Sequence, residues 1–435
     1  MAVYTINKIV EDTGLTRFMV LKHINGGILK CEKVSSGYEI DEDTYIEWKN
    51  NIPDVDNIEG QCEFSNYVED AYINNNLGED DYQEKSIKRN MYDIVKTIKV
   101  KKNSKLTFAD FFSGAGGISC GFAAAGYRPI MFVDNFKEAS QTYRNYFEKK
   151  GFSFSQKEDC LDITEDSTKK EVIKLLKKEH PYVICGGFPC QGFSLSGTSI
   201  ATDKRNTLYQ DMLEIVKEVK PEFIVMENVT GILSMLKGNV IRKILYDYNN
   251  IGYNITWKVL DSADYGVPQH RKRVIFIGNR IGEKNVFPKA FRDENSYMTV
   301  KEAIGRFEEL DDEPLINHIM SKHSEDMKQR LINVKEGETL YENFNDSWKK
   351  CAADKPSCTI KENHGATNIH YKLPRVITPR EMAALQSFPD DYIFSGPKTK
   401  QIKQIGNAVP PVLAQAIAYA LKPSVKRIVE EKEKL

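Results

Sequence analysis

Three kinds of side chain in this 435-residue chain stand where bond-making chemistry can be done: a thiol, a carboxyl and a pair of guanidiniums. The thiol is Cys190, in Gly186-Gly187-Phe188-Pro189-Cys190-Gln191, which closes the apolar run Tyr182-Val183-Ile184-Cys185. That run predicts a short buried strand, and the two glycines end it in a turn that only glycine enters easily. Cys190 is therefore expected at the carboxyl end of a strand, where open α/β sheets hold their ligands. A nucleophile is one use for such a thiol; a buried structural cysteine is the other. The carboxyl is Glu227, which the apolar run Phe223–Met226 delivers to the same edge. It stands there either as a proton donor or as a surface residue capping a turn. The guanidiniums lie in Gln269-His270-Arg271-Lys272-Arg273. Alternation along an extended segment puts Gln269, Arg271 and Arg273 on one side, with His270 and Lys272 on the other. Two guanidiniums on one face suit an anionic oxygen or a phosphate. A solvated basic run has the same composition.

Groups this far apart in sequence need a scaffold. From Leu106 to Asn279, strand-like runs alternate with helical patterns: Phe108–Phe112, Ile130–Val133, Val183–Cys185, Phe223–Met226, Trp257–Leu260 and Val274–Ile277. This alternation predicts an α/β doubly wound sheet. The first run leads into Ser113-Gly114-Ala115-Gly116-Gly117 ahead of a helix. Glycines let a ligand approach the backbone, and a helix N-terminus favours a carboxylate or phosphate. A dinucleotide site competes, although GAGG departs from the GxGxxG pattern. The stretch from Arg280 to about Asp354 breaks the rhythm with charged helices and few strands, and the pattern resumes at Pro356.

Five blocks occur in one order: TFADFFSGAGGISCGF from Thr107, FPCQGFS from Phe188, MENVTG from Met226, QHRKR from Gln269 and GNAVPP from Gly406. Together they resemble the DNA (cytosine-5) methyltransferases of the prokaryotic modification type, over roughly residues 105 to 422. The resemblance implies a doubly wound S-adenosylmethionine-dependent methyltransferase sheet with a smaller target-recognition domain. It implies methyl transfer to C5 of a cytosine flipped out of duplex DNA, since the stacked base hides C5 and C6. Cys190 would add to C6. Glu227, kept protonated by burial, would hydrogen-bond N3 and the exocyclic amine. Arg271 would lie nearest the cytosine O2, with Arg273 raising the thiolate fraction of Cys190. For the cofactor, Phe112 would pack on the adenine, above the turn Gly114, Gly116 and Gly117. Asp134 would accept from the ribose hydroxyls, Asp162 would sit beside the adenine amino group, and Asn407 near the methionine part. A helix N-cap is the alternative for Asp162. Gln191 and Ser194 belong to a loop expected to close over the DNA, with Gly192 and Gly197 as flexible points. Arg380 and Glu381 read as structural. A tRNA cytosine-5 methyltransferase of the same fold is a rival, but its usual Cys-Phe-Thr tripeptide is missing. A non-enzymatic DNA-binding regulator is disfavoured by the intact Cys190, Glu227 and Arg271. Zinc-dependent deamination fails because Pro189-Cys190 lacks a second Cys at CxxC spacing and an upstream HxE.

Net charge is -1 at pH 7, so DNA binding must rely on local basic surface. Eight cysteines without a CxxC pair argue against a metal site and a disulfide framework and fit a reducing cytoplasm. No apolar run approaches the roughly 20 residues that span a bilayer, and the N-terminus lacks the features of a signal peptide. Residues 1–50 are similar to the winged helix-turn-helix of excisionase-like and MerR-like proteins. Helices are expected over Ile6–Thr13 and from Thr16 to about Ile24, with a wing from Ile28-Leu29 and Gly37–Ile40. Arg17 and Lys22 would then contact DNA; a helical hairpin used for packing is the alternative. Residues 51–104 read as an acidic, then basic, linker. The catalytic domain is expected over 105–280 and 355–435, with target recognition over 281–354. The expected partner is duplex DNA, with the methyltransferase itself a monomer that acts either beside a cognate restriction endonuclease or as an orphan modification enzyme.

Overall fold

The computed structural model describes residues 3–5, 8–9, 24, 29–34, 37–50, 104–189, 208–342, 348–362 and 368–434. The chain divides into two units, Met1–Glu79 and Asp80–Leu435. The first holds a three-stranded antiparallel sheet of β1 (Val3–Thr5), β2 (Glu32–Val34) and β3 (Gly37–Asp41), with β3 central, followed by α1 (Glu42–Asn50). Asp41 caps α1 by accepting from the Thr44 amide at 2.9 Å, which meets one of the unpaired N–H groups at a helix start. Ile9, Leu29, Ile40 and Tyr45 are buried, and Tyr45 stacks on Tyr4. The wing differs from expectation. Gly37–Asp41 is a strand, but its hairpin partner is Glu32–Val34, while Leu29 lies in a bend. The expected recognition helix, with Arg17 and Lys22, lies outside the described residues, as does the linker up to Asn103.

The second unit is built on six strands: β4 (Thr107–Phe111), β5 (Arg128–Val133), β6 (Val183–Gly186), β7 (Phe223–Val229), β8 (Asn254–Asp261) and β9 (Lys272–Asn279). They lie in the order β5-β4-β6-β7-β9-β8. All six expected runs are strands. The sheet is mixed, however: β4 to β7 run parallel, while β9 is antiparallel to both β7 and β8. From β4 the chain goes first to β5 on one side and then to β6 on the other. Such a switch leaves a crevice at the carboxyl ends of β4 and β6.

Strand alternation sorts the core into two faces. Ala109, Phe111, Ile184, Ile224, Met226, Val274 and Phe276 pack with α4 (Asp166–Glu179), α5 (Leu208–Val219) and α6 (Asn239–Asn250). Their neighbours Phe108, Val183, Cys185, Phe223, Val225, Ile275 and Ile277 pack with α2 (Gly117–Ala124) and α11 (Pro411–Lys432). A third cluster joins α3 (Lys137–Lys149) to α7 (Val300–Ile304), α9 (Pro379–Leu385) and α10 (Lys398–Asn407). The interval expected to be the target-recognition domain therefore contributes α7 to this shared core. Its other regular helix is α8 (Glu325–Asn333), capped by Ser324.

Candidate active site

The carboxyl ends of β4, β5, β6 and β7 open into a cleft of about 1300 Å³. At β4 the chain turns through Phe112, which adopts a left-handed backbone (φ 52°) that costs an L-residue about 1–2 kcal/mol. The turn is held by Gly114, whose N–H donates to Asp134 Oδ2 at 2.8 Å. Asp134 follows β5, and its other oxygen accepts from the Phe136 amide at 2.8 Å. Burial raises the Asp134 carboxyl above its ordinary range, and the Phe136 and Gly114 amides pull it back. Gly117 begins α2 with no room for a β-carbon, because the carbonyl of Val409 occupies that space. Phe112, Gly114, Gly117, Asp134, Asp162 and Asn407 all line the cleft. Gly116 does not: it packs against Tyr143 and Tyr392.

The direction of β9 sets the other end of the cleft. Because β9 runs antiparallel to β7, its first residues lie beside the last residues of β7, with Arg273 opposite Val229. A parallel strand would have sent Arg273 to the far edge. Arg273 instead places Nε 2.8 Å from Glu227 Oε1, both side chains being about an eighth exposed. Glu227, expected to be kept protonated by burial, thus retains some exposure and contacts a guanidinium. Asn228, the next residue, is buried and donates Nδ2 to the Phe188 carbonyl at 2.9 Å, holding the strand-to-loop turn that ends at Pro189. Cys190, Gln191 and Ser194 lie outside the described residues.

Arg271 and Arg273 share a face, as their spacing predicts, but do different work. Arg271 is 2% exposed. Its Nη1 donates to the Ile360 carbonyl and its Nη2 to the Gly406 carbonyl, each at 2.8 Å. With both terminal nitrogens on backbone, Arg271 ties the C-terminal segments to β9. The guanidinium expected nearest a substrate oxygen lines the cleft but spends both terminal nitrogens on the protein itself. Gln269 acts alike: Oε1 accepts from the Ile360 amide at 2.7 Å, and Nε2 donates to Leu385 O and Gln386 Oε1. His270 and Lys272 are exposed.

The description C-5 cytosine-specific DNA methylase matches residues 106–423. The chain belongs to that family. It is similar to the Type II methyltransferase M1.HphI of Haemophilus parahaemolyticus, at 38% identity over 73% of this chain and 86% of that one. With M.DdeI of Desulfomicrobium norvegicum the identity is 34%, covering 72% and 88%. Among solved structures, a candidate DNA modification methyltransferase encoded within an E. coli prophage superposes with a TM-score of 0.62. The identity there is 26%, and the match covers 74% of this chain and all of that one. The protein is a DNA (cytosine-5) methyltransferase, and S-adenosylmethionine is its methyl donor.

The cleft of this methyltransferase fits that cofactor. Two aromatic rings, Phe112 and Phe136, line it together with Asp134 and Asp162. Each Asp134 oxygen has one backbone donor and keeps a lone pair for a hydroxyl. Asp162 accepts from Asn135 Nδ2 at 3.3 Å and from its own Thr164 amide at 3.0 Å, a local turn that points to neither reading alone. Among the described residues there is no group able to hold a metal ion, and no helix long and apolar enough to cross a membrane. Sequence reasoning missed Phe136 and Asn228. Both sit one or two residues beyond an acid at a strand's carboxyl end, and that position was the available signal.

Proposed function

We propose that this enzyme methylates a cytosine flipped out of duplex DNA through a covalent Cys190 adduct. The observation that carries the reading is the Glu227–Arg273 pair at the carboxyl edge, one strand away from the chain leading into Cys190. S-adenosylmethionine supplies an electrophilic methyl group. The Cys190 thiolate forms the bond to C6, and the displaced ring electrons charge the N3–O2 edge. Glu227 would serve N3, and Arg273, rather than Arg271, would turn its fixed donors to O2. C5 would then take the methyl group as its bond to the cofactor's sulfur breaks, and loss of the C5 proton to solvent would expel the Cys190 thiolate from C6. Phe112, Phe136, Asp134 and Asp162 would hold the adenosine end. Gly114, Gly117 and Asn407 would hold the amino-acid end. Gly116 would support the turn from behind. Gln191 and Ser194 would meet the DNA.

The test is Cys190→Ser with duplex DNA carrying 5-fluorocytosine at the target. Wild type should yield a denaturation-resistant complex, because fluorine cannot leave as a proton does. The variant should yield none and transfer no methyl group. Methylation at the wild-type rate by Cys190→Ser would sink the covalent mechanism.

We also propose that residues 1–50 are a winged helix-turn-helix that adds DNA affinity, a reading supported by the spacing around Gly14 and the hairpin Glu32–Asp41. Replacing Arg17 and Lys22 by Ala should weaken binding to long duplexes and lower the salt slope by about 2. An unchanged slope would remove these residues from the DNA contacts. A partner restriction endonuclease, a monomeric state and a cytoplasmic setting are further parts of this proposal.

A further inference from the structure

One carboxylate in the cleft serves neither the base nor the adenosine end. Glu362 follows a segment pinned from several sides. The Ile360 amide donates to Gln269, its carbonyl accepts from Arg271, and Thr359 Oγ1 donates to the His270 carbonyl at 2.8 Å. Arg271 also binds the Gly406 carbonyl, so one guanidinium fixes this segment against the turn that ends α10. The two approach so closely that a β-carbon on Gly406 would collide with the backbone of Lys361 and Glu362. Asn407 then donates Nδ2 to Glu362 Oε2 at 2.8 Å. Among the described residues Glu362 Oε1 makes no hydrogen bond or ion pair.

The neighbourhood supplies the opposite charge. Two residues beyond Asn407, the Val409 carbonyl packs directly on Gly117 at the start of α2. Gly117 and Ile118 line the same cleft, and their amides are among those that find no acceptor within a helix. Such an end attracts a carboxylate. An α-amino acid carries a carboxylate and an ammonium on one carbon, so it needs an anion-binding and a cation-binding group close together. Asp134 is committed to two backbone amides, and Glu227 to Arg273. Asp261, which also lines the cleft, is engaged by His270 and the Arg271 amide, whereas Glu362 keeps one oxygen without a hydrogen bond among the described residues, on the segment packed against Gly406 and Asn407.

We propose that Glu362 is the counter-ion for the α-ammonium group of the cofactor's methionine part, oriented by Asn407 and, through the backbone, by Arg271. The assignment rests on S-adenosylmethionine as cofactor and on the glycine turn receiving its carboxylate. The test uses the full chain as wild type, Glu362→Gln and Glu362→Asp, titrated calorimetrically with S-adenosylmethionine and with two uncharged-sulfur ligands. S-adenosylhomocysteine keeps the amino-acid end, whereas 5′-methylthioadenosine lacks it. Glu362→Gln should bind S-adenosylhomocysteine about tenfold more weakly, the scale of one charge-assisted hydrogen bond, with methylthioadenosine affinity and thermal midpoint unchanged. Glu362→Asp should recover part of the loss. Unchanged affinity for S-adenosylhomocysteine would overturn the proposal, as would a parallel loss for methylthioadenosine, which marks a residue shaping the whole cleft. A loss confined to S-adenosylmethionine would overturn it too, by turning Glu362 towards the sulfonium. Wild type that binds none of the three would instead overturn the cofactor assignment, and this proposal with it.

Discussion

The cleft and the C-terminal core each hold a carboxylate against an arginine, and the two pairs are built differently. Glu227 meets Arg273 through a single nitrogen at a strand end, and both side chains keep some exposure. Glu381 meets Arg375 through two parallel bonds of 2.7 Å, and its side chain is fully buried. Glu381 also closes a capping box with Thr378 at the start of α9. Below it lies His370, whose Nδ1 accepts from the Lys372 and Leu373 amides. Bidentate geometry and filled lone pairs make a fixed joint. The cleft pair retains the unfilled valence that a substrate needs. Identical side chains therefore differ in how many of their hydrogen bonds the protein itself consumes, and on the proposed function that difference separates machinery from framework.

The sharpest way to break this comparison is to neutralise each carboxylate in turn. Glu227→Gln should cut turnover by about 100- to 10,000-fold, the usual range for general acid–base groups, with the thermal midpoint unchanged. A midpoint that falls with the rate would make the cleft pair structural as well. Glu381→Gln should do the reverse. Leaving Arg375 buried beside a neutral partner should cost about 3–5 kcal/mol in denaturant unfolding, while turnover per folded molecule stays near wild type. A stable but inactive Glu381→Gln would place that pair in the chemistry. The smallest effect concerns pH. Burial pushes His370 down from 6.5 to about 4, so the folded state resists a proton that the unfolded state accepts. Stability is then complete above pH 6.5 and falls as pH drops towards 4, by up to about 3 kcal/mol. His370→Asn, which keeps an acceptor for the two amides, should flatten that slope; an unaltered slope would assign acid sensitivity elsewhere.

Much of the scaffold was legible because buried strands are written as apolar runs, and all six runs became strands. Strand direction was not, since alternation reads the same both ways. The reversal of β9 is what brings Arg273 to Glu227. For the same reason spacing grouped Arg271 with Arg273 but could not say which would spend its donors on carbonyls 89 and 135 residues away. Glu362 offered no signal at all, being one of two adjacent charges in a polar stretch whose partner, Asn407, comes 45 residues later. Gly116, expected with the other two glycines at the cofactor, is packed against Tyr143 and Tyr392 and does not line the cleft. The turn needed its glycines for two purposes, and only Gly114 and Gly117 face the ligand side.

The packing of α11 against α2 has a consequence for synthesis on the ribosome. Leu413, Ile417 and Leu421 cover Ile118 and Phe122 together with Phe108, so the first strand–helix unit made is sealed by the last helix. Domains generally acquire their cores as units during elongation. A nascent chain of this enzyme must therefore wait, one sheet face uncovered, until its final turns emerge. The glycine turn is completed by the same late arrival, through Val409 on Gly117. A chain cut short before Val409 lacks this packing on the turn and should therefore bind the methyl donor more weakly.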